Sequence, residues 1–420
     1  MKIIIIGAGA AGLCAAIEAA KNKHEVTVLE LKEACGKKLL ATGNGRCNLT
    51  NKAMDISCYH GDNMEFINNV ITKYDTAKIE AYFNDLGVLL CHINGYVYPY
   101  SKQSHTIVNA LYNTACNLGV SFIFNCNVKD INKISNSEGF VVSGNVTENK
   151  TSTRYEYKCD KVIVCAGGRA NKVLGSDGSG YYLLSKLGHK VNTVLPSLVP
   201  LVCKESIKGE LKKLKGVRCN GHLTLYDKDI KVDESTGEIQ FTDYGLSGIV
   251  TFQISGMANK LLNEKKKIFV QIDFLPDYDI ASIKSILRGY IKQLSSKCTI
   301  TYKSIFSNIV NDKLACVVLN RIDINENEAL SKDYEEILDK GISLLKEYSL
   351  EIVGSKDFDN AQVCLGGISL NEIKDTMESK LVCGLYITGE VLDVDGICGG
   401  YNLHFAFASG IIAGRSVWND

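Results

Sequence analysis

Residues 1–12 read MKIIIIGAGAAG, and this stretch decides the fold. Four consecutive isoleucines predict a buried parallel β-strand, and the glycines behind them predict a tight turn that enters a helix. In the pattern Gly7-x-Gly9-x-x-Gly12, the first glycine permits the turn and the second lets a pyrophosphate approach the backbone. The third glycine lets helix and strand pack closely. We therefore predict a dinucleotide-binding, Rossmann-like unit at the N-terminus.

The residues that follow this turn complete the predicted β-α-β unit. A helix that begins here directs amide donors and a partial positive charge at the phosphates, so Ala10 and Ala11 join the predicted cofactor contacts. The segment HEVTVLE, residues 24–30, predicts the next strand, and Glu30 at its end can accept the ribose hydroxyls. The alternative is a glycine turn retained for packing alone.

A second glycine-rich segment lies near the C-terminus. Residues 388–414 read TGEVLDVDGICGGYNLHFAFASGIIAG, which predicts a turn followed by a helix over Tyr401 to Arg415. The N-terminus of such a helix would face the pyrimidine edge of a flavin and stabilise negative charge on the reduced ring. The alternative is a glycine-rich turn with solvated carboxylates. The predicted cofactor contacts of this segment are Gly389, Glu390, Asp395, Gly400, Tyr401 and Asn402.

Two further segments distinguish FAD from NAD as the resident cofactor. The turn Cys165–Gly168 follows a predicted strand, and no second strand-GxGxxG-helix unit is found, so one Rossmann site with a C-terminal return favours FAD. The segment GKKLLATGNGRCNLTN, residues 36–51, is either a surface loop or a loop that surrounds the flavin. These regions add the predicted contacts Lys38, Thr42, Gly43, Gly45, Arg46, Asn48, Val128, Ala166, Gly167 and Gly168.

Composition limits the class of protein. The 420 residues carry 47 basic and 47 acidic side chains, so no strongly electrostatic partnership with nucleic acid or membrane is indicated. None of the 16 cysteines forms a C-x-x-C pair, and no zinc-finger spacing of cysteine and histidine is present, so no metal site is predicted. No export signal or membrane-spanning run is recognised. We expect a cytoplasmic protein with reduced thiols.

The fold class predicted is α/β, a Rossmann-like FAD-binding domain that an insert interrupts. Residues 1–190 and 357–420 are assigned to the FAD domain and residues 191–356 to the insert. Short alternating runs predict a small β-barrel over about 191–275 and 335–356, and charged periodic segments predict a helical part over about 276–334.

Several motifs together resemble one known family. The chain is similar to the HI0933-like flavoproteins, which are also described as aminoacetone oxidase-like or bile-acid enone reductase-like FAD enzymes. The resemblance covers essentially the whole chain and implies a two-part FAD domain with a barrel and helical insert. It is carried by GAGAAGL (7–13), KKLLATGNGRCNLTN (37–51), the Tyr98-Pro99-x-Ser101 turn, FTDYGLSG (241–248) and TGEVLDVDGICGGYNL (388–403).

Some positions depart from the pattern of that family. Asp243 stands where many similar proteins have histidine, and Ile249 stands where proline is frequent. His404 and Phe405 occupy a region that is often richer in glutamine and tryptophan. Since these positions are expected where substrate meets flavin, the resemblance does not identify the substrate.

The resemblance implies reduction of a carbon–carbon double bond conjugated to a carbonyl group, with NADPH or NADH as reductant. The implied substrates are a steroid-like enone or a uracil of large-subunit ribosomal RNA. Two alternatives remain open: an oxidase of a small amine or aminoketone, and a non-catalytic RNA- or protein-binding module that retains FAD. The candidate catalytic residues are Tyr98, Ser101, Tyr244, Tyr401 and His404. The alternative for the tyrosines is a packing role with a hydrogen-bonded hydroxyl group, which is the more common role of a buried tyrosine.

Overall fold

The computed structural model describes residues 1–134, 139–294 and 300–418. The chain forms two compact units, Met1–Pro196 with Phe358–Asp420, and Ser197–Asp357. The inserted unit thus runs from 197 to 357, where the sequence interpretation placed it from 191 to 356.

The first unit contains both chain termini. Its elements before the insert are β1 (Lys2–Ile6), α1 (Ala10–Lys21), β2 (Glu25–Leu29), α2 (Lys37–Ala41), β3 (Thr50–Asn51), β4 (Tyr59–Gly61), α3 (Met64–Lys73), α4 (Thr76–Asp85), β5 (Leu90–Ile93), β6 (Tyr96–Pro99), α5 (Ser104–Asn117), β7 (Ser121–Ile123), β8 (Cys126–Lys133), β9 (Phe140–Glu148), β10 (Thr151–Cys159), β11 (Lys161–Val164), α6 (Ser179–Lys186) and β12 (Leu195–Ser197).

A five-stranded parallel sheet forms the centre of this unit. Ile3 pairs with Val26 of β2 on one side and with Lys161 of β11 on the other, and all four isoleucines of β1 are buried. Such a strand has neighbours on both edges and helices on its faces, which is why it reads as a continuous apolar run. The prediction of a Rossmann-like α/β fold is confirmed.

The second unit is built around a closed barrel. Its elements are β13 (Leu201–Cys203), α7 (Lys208–Leu214), β14 (Arg218–Asp227), β15 (Ile230–Phe241), β16 (Gly245–Ser247), α8 (Ile249–Asn263), β17 (Ile268–Asp273), α9 (Ile280–Gln293), α10 (Tyr302–Phe306), α11 (Asp312–Arg321), α12 (Tyr334–Lys346) and β18 (Tyr348–Ser355). The barrel order is β13-β16-β15-β14-β17-β18.

Three helices lie where the sequence interpretation assigned barrel residues, and the shortest of them, α7, falls inside the range 191–275. Helix α8 falls inside the range 191–275, and α12 occupies most of 335–356. In α12 the buried residues Leu338, Ile342 and Leu345 recur every three or four positions, which is helical spacing. Only the last part of that range, β18, joins the barrel.

The chain returns to the first unit after the insert. Its last elements are β19 (Val363–Leu365), β20 (Leu385–Ile387), β21 (Val394–Gly396) and α13 (Tyr401–Ser416). Strand β20 is hydrogen-bonded to β11, so the parallel sheet has the order β20-β11-β1-β2-β7.

Helix α13 packs directly on α1. A Cβ atom at Gly410 would lie 2.2 Å from the carbonyl oxygen of Ala11, and one at Gly414 would lie 2.5 Å from that of Ala15. Only glycine permits backbones to approach this closely. The two glycine-rich segments of the sequence are thereby brought together in one unit.

No helix among the described residues is both long enough and apolar enough to cross a lipid bilayer.

Candidate cofactor site

The three glycines of the N-terminal turn have different surroundings. Gly7 has φ +102° and a Cβ atom there would lie 2.4 Å from the carbonyl oxygen of Cys165. At Gly12, a Cβ atom would lie 1.9 Å from the carbonyl oxygen of Gly7. At Gly9, by contrast, no described atom beyond the adjoining residues lies within 4 Å of the Cβ position. Packing therefore accounts for Gly7 and Gly12, whereas Gly9 borders open space that a ligand can occupy.

Helix α1 begins at this open space. Gly9 precedes its first residue, Ala10, and supplies no side-chain hydrogen bond to the first turn, which also contains Ala11. The first amides of a helix have no partner inside the helix, and together they attract anions. The turn can therefore receive the pyrophosphate of a dinucleotide.

Glu30 lies at the end of β2, beside the same turn. Its Oε2 accepts from the amide of Ala8 at 2.7 Å and its Oε1 from that of Lys32 at 2.8 Å. Burial raises the pKa of the Glu30 carboxyl group, although these two hydrogen bonds oppose the effect. Each carboxylate oxygen keeps a further lone pair that can accept a ribose hydroxyl. Val128 is buried in β8, whose first amide donates to the carbonyl oxygen of Glu30.

Residues 42–48 form a loop with an irregular backbone. Gly43, Asn44, Gly45 and Cys47 all have positive φ angles, between 54° and 79°. The Thr42 hydroxyl donates to the carbonyl oxygen of Leu39 at 2.7 Å and so attaches the loop to α2. Such a loop exposes backbone groups on a concave side, which suits contact with a ligand.

The side chain of Asn48 is the clearest sign of a missing partner. Its Oδ1 is buried and makes no hydrogen bond within the described part of the chain. This oxygen is 3.0 Å from the Cβ position of Gly400, at the start of α13. A buried amide oxygen without a donor is costly, so we expect a ligand N–H group at this point.

An ion pair joins two of the predicted cofactor segments and lies beside a third. Lys38 donates to the two carboxylate oxygens of Glu390 at 2.9 and 2.7 Å. Glu390 Oε1 lies 3.1 Å from the Cβ position of Gly168, which follows Ala166 and the left-handed Gly167 after β11. These residues share the edge of the sheet at which β1, β11 and β20 end, where ligands bind in open α/β folds.

The start of α13 is held by its own side chains. Asn402 accepts from the amide of Gly396 at 2.8 Å and donates to its carbonyl oxygen at 2.7 Å. The Tyr401 hydroxyl donates to the carbonyl oxygen of Ala53 at 3.1 Å. Gly389 packs on α1, where its Cβ position is 3.0 Å from Cβ of Ala11. Asn402 and Tyr401 thus shape the turn, and Gly400 leaves the helix N-terminus without a side-chain cap.

Asp395 is buried in β21, opposite His60 of β4. Its Oδ2 lies 3.7 Å from Nδ1 of His60. Asp395 therefore contributes to the strand that leads into the glycine turn.

The remaining candidate catalytic residues lie on different elements of the two units. Tyr98 is half-buried on β6, with its ring 3.8 Å from the Cβ position of Gly43. The Ser101 hydroxyl is exposed, lies 2.6 Å from that of Thr106 and accepts from the amide of Gln103, so it stabilises the start of α5. Tyr244 belongs to the second unit, where the Lys356 ammonium lies 4.1 Å from its ring centre.

His404 differs most from the sequence expectation. Its side chain is fully buried, and its Nδ1 lies 2.8 Å from the hydroxyl of Thr50 on β3. Burial lowers the pKa of the His404 imidazole to about 4, so the ring is neutral at physiological pH. This environment favours a structural role that joins β3 to α13 over the catalytic role that the sequence suggested.

The family model of the HI0933-like protein Rossmann domain matches residues 1–416. The chain belongs to the HI0933-like family. The family prediction made from the sequence motifs is therefore confirmed.

Individual relatives of this HI0933-like chain match it along its whole length. A 3-dehydro-bile acid delta(4,6)-reductase of Clostridium scindens is 39% identical, over 99% of this chain and 98% of the relative. A ribosomal RNA dihydrouridine synthase of Haemophilus influenzae is 28% identical, over 99% and 98% of the two chains.

One solved structure shows the same overall fold. A 3-ketosteroid-delta4-(5alpha)-dehydrogenase of Rhodococcus jostii matches with a TM-score of 0.51 and 15% identity, over 100% of this chain and 96% of that one. At this level of identity the comparison supports the fold alone.

The site of this HI0933-like chain suits FAD chemically. Open space at Gly9, an acceptor at Glu30 and an unpartnered oxygen at Asn48 correspond to a pyrophosphate, a ribose and a flavin N–H group. Within residues 1–134, 139–294 and 300–418, no three His, Cys, Asp or Glu side chains are grouped to hold a metal ion.

Sequence reasoning missed three residues that border this site. Asn51 donates to the carbonyl oxygen of Gly399 at 3.0 Å, and Thr50 contacts His404. Tyr96 lies 3.2 Å from the Cβ position of Gly399. Thr50 and Asn51 lie inside the predicted loop segment 36–51, but only its residues up to Asn48 were named as contacts.

Proposed function

We propose that this protein is an FAD-dependent oxidoreductase that reduces a carbon–carbon double bond conjugated to a carbonyl group. The proposal depends above all on the 39% identity, across 99% of the chain, with a relative named as a bile acid delta(4,6)-reductase. We further propose that NADPH or NADH supplies the electrons.

When bound, FAD accepts hydride from a reduced nicotinamide and returns it to an electrophilic carbon. The adenosine half would be held at the turn around Gly9, where the first amides of α1 face open space. Glu30 would bind the ribose hydroxyls. Gly9 and Glu30 would thus hold the pyrophosphate and the ribose at the same edge of the sheet.

The flavin half would lie between the 42–48 loop and the start of α13. Asn48 would accept a hydrogen bond there, and the N-terminus of α13 would stabilise negative charge. Tyr98 is near this loop, and burial raises the pKa of its hydroxyl group, so the group stays protonated at neutral pH. It can therefore donate a hydrogen bond to a substrate carbonyl and polarise the double bond.

The charge distribution favours a small enone over ribosomal RNA. Many lysines of the basic segments 208–215 and 265–267 are paired with carboxylates. The pairs are Lys208–Glu205, Lys215–Asp243, Lys266–Asp227 and Lys267–Glu351. RNA binding depends on cations that contact phosphates. The four pairs leave only Lys212, Lys213 and Lys265 of these segments without a carboxylate partner among the described residues. Uracil of ribosomal RNA remains the second candidate, on the basis of the 28% identical dihydrouridine synthase.

Anaerobic spectroscopy of the purified flavoprotein tests the proposal. NADPH or NADH should bleach the flavin absorbance, and a steroid 4-en-3-one should restore it while the steroid gains two hydrogen atoms. The matched control is the saturated 3-ketosteroid, which should leave the flavin reduced.

Other outcomes would contradict the proposal. Bleaching by a small amine, with recovery by oxygen and no need for nicotinamide, would identify an oxidase. Recovery by a uracil-containing 23S fragment but not by any enone would identify an RNA-modifying enzyme. A flavin that responds to none of these reagents would indicate a non-catalytic module.

A further inference from the structure

An exposed apolar face lies on the small sheet β3-β6-β5. Cys91 pairs with Tyr98 and Ile93 pairs with Tyr96, so these four side chains share one side of the sheet. On the other side Val97 is completely buried. The first side therefore faces away from the core.

Two exposed residues extend this face outward. The amide of Tyr100 donates to the carbonyl oxygen of Leu89 at 2.7 Å, so the pairing continues for one more residue on each strand. Leu89 is 75% exposed, Tyr100 69% and Ile93 36%. From Tyr96 to Tyr100 the face is about 14 Å long, given roughly 3.4 Å per strand residue. Exposed apolar surface of this kind is typical of a binding face. We call these six residues the tyrosine face: Leu89, Cys91, Ile93, Tyr96, Tyr98 and Tyr100.

The inner end of the tyrosine face borders both predicted flavin loops. Tyr96 lies 3.2 Å from the Cβ position of Gly399, and Tyr98 lies 3.8 Å from that of Gly43. The two rings are 6.4 Å apart, centre to centre, at 63°. A ligand that covers them would have one end beside the 42–48 loop and the start of α13.

Polar groups are also found at this inner end. The Arg46 side chain is exposed, and no hydrogen bond or ion pair of its guanidinium group is formed within the described residues. Its charge acts on the Tyr98 hydroxyl and partly offsets the effect of burial on the pKa of that group. A ligand oxygen that bears developing negative charge would find two donors here.

The sheet is held firmly against α13. Asn51 of β3 donates to Gly399, and Thr50 of β3 contacts His404. Since β3 pairs with β6, the position of the tyrosine face relative to α13 is set by these contacts. A rigid platform of this kind is what selective binding of a flat ligand requires.

We propose that the tyrosine face binds the ring system of a polycyclic enone, with the carbonyl group at the inner end beside Arg46 and Tyr98. This inference rests on the proposed function and deepens it by naming the surface that would bind the substrate and the residues that would select for its size. A single-ring enone would cover only the inner residues Tyr96, Tyr98 and Ile93. Several fused rings would also cover Leu89 and Tyr100 at the outer end. The outer residues then determine substrate size.

Two exposed substitutions test the inference with little risk to the fold. Leu89→Ser and Tyr100→Ser should each lower kcat/KM for a steroid 4-en-3-one about tenfold through KM, and leave kcat/KM for cyclohexenone unchanged. Leu381→Ser, at a residue of the same unit that is 53% exposed, is the matched control and should change neither value. The Kd of a saturated 3-ketosteroid, measured from its perturbation of the oxidised flavin spectrum, should rise by the same factor.

The outcomes separate this inference from the proposed function. If the wild-type protein reduces both enones and the outer substitutions change neither kcat/KM nor Kd, the tyrosine face is not the binding surface. If the wild-type protein reduces no enone, the proposed function fails, and a weakened steroid Kd in the same variants would still support the face. Loss of binding of a 23S RNA fragment with an unchanged steroid Kd would overturn the inference in favour of RNA.

Discussion

Individual glycines of the N-terminal motif carry different physical requirements. Gly7 and Gly12 are pressed against backbone carbonyl oxygens, so a side chain there is excluded by the protein itself. Gly9 has an ordinary extended backbone, with φ −84°, and faces open space. A side chain at Gly9 would therefore disturb a bound ligand and not the fold.

We predict that Gly9→Val yields folded protein without flavin. The valine side chain would occupy the space that the pyrophosphate needs. The melting temperature of this variant should stay within about 2 °C of that of the wild-type apoprotein. Flavin content per protein, from absorbance after purification, is the measurement. Gly209→Val, at another glycine with no atom near its Cβ position, is the control and should retain flavin. Full flavin occupancy of the Gly9 variant would disprove the placement.

The buried imidazole of His404 should make stability depend on pH. Its pKa is about 4 in the folded protein and about 6.5 in an unfolded chain. Between these values the unfolded chain binds more protons, so the free energy of unfolding rises with pH and falls as the solution is acidified. Asp393 acts in the opposite direction, because burial raises the pKa of its carboxyl group to about 6.

We predict that His404→Gln removes part of the acid sensitivity. Wild-type protein should lose about 3 kcal/mol of unfolding free energy from this group between pH 7 and pH 4, and the variant should lose none of it. Denaturant unfolding at several pH values measures the free energy of unfolding of both proteins. Because both keep Asp393, its contribution cancels when the two pH profiles are subtracted. Parallel pH profiles of the two proteins would show that His404 is not buried in the neutral form. Thr50→Val, which keeps the imidazole, should retain the acid sensitivity.

At the level of elements, the contact between α1 and α13 joins the two cofactor segments. These helices come together where Gly410 and Gly414 face the carbonyl oxygens of Ala11 and Ala15. Small residues at this contact allow the two helix axes to approach each other. The same interface therefore fixes the position of the start of α1 relative to the start of α13. We therefore expect FAD affinity to depend on this packing.

We predict that Gly410→Val destabilises the fold by about 3 kcal/mol, because the new side chain would overlap the backbone of α1. Urea unfolding measures the change, and flavin affinity should fall with it. Gly289→Ala in α9, where no atom lies near the Cβ position, should instead stabilise by up to about 1 kcal/mol. Unchanged stability of the Gly410 variant would contradict the close packing of the two helices.

For the molecule as a whole, charge is balanced both in number and in placement. Basic and acidic residues are equal at 47 each, and many lysines of the basic segments have carboxylate partners. A protein with this distribution has no large positive field to attract a polyanion. Its substrate binding should depend on apolar contact and directed hydrogen bonds.

We predict weak binding to a 23S ribosomal RNA fragment, with a Kd above about 10 µM at physiological salt, in the range typical of non-specific contact. Filter binding at several salt concentrations gives both the affinity and its salt dependence. The KM for a steroid enone should be nearly independent of salt in the same buffers. Tight RNA binding that weakens steeply with salt would reverse the preference between the two candidate substrates.

The sequence alone was sufficient for the Rossmann-like unit and the family. The isoleucine strand, the glycine turn and the following helix are neighbours along the chain, and their periodicity and turn chemistry are local properties. For the same reason the C-terminal helix was predicted from Tyr401, where it begins in the structure. The segment that forms helix α12 was assigned to the barrel, because apolar residues in a short segment suit either a strand or a helix.

Tertiary structure alone decided which of these residues meet. Lys38 and Glu390 are 352 positions apart, and Thr50 and His404 are 354 apart, so no spacing in the sequence could pair them. The burial of His404, the open space at Gly9 and the exposed tyrosine face likewise depend on what packs against each residue after folding. Local patterns specify elements, but the surroundings of a side chain are set by contacts between distant parts of the chain.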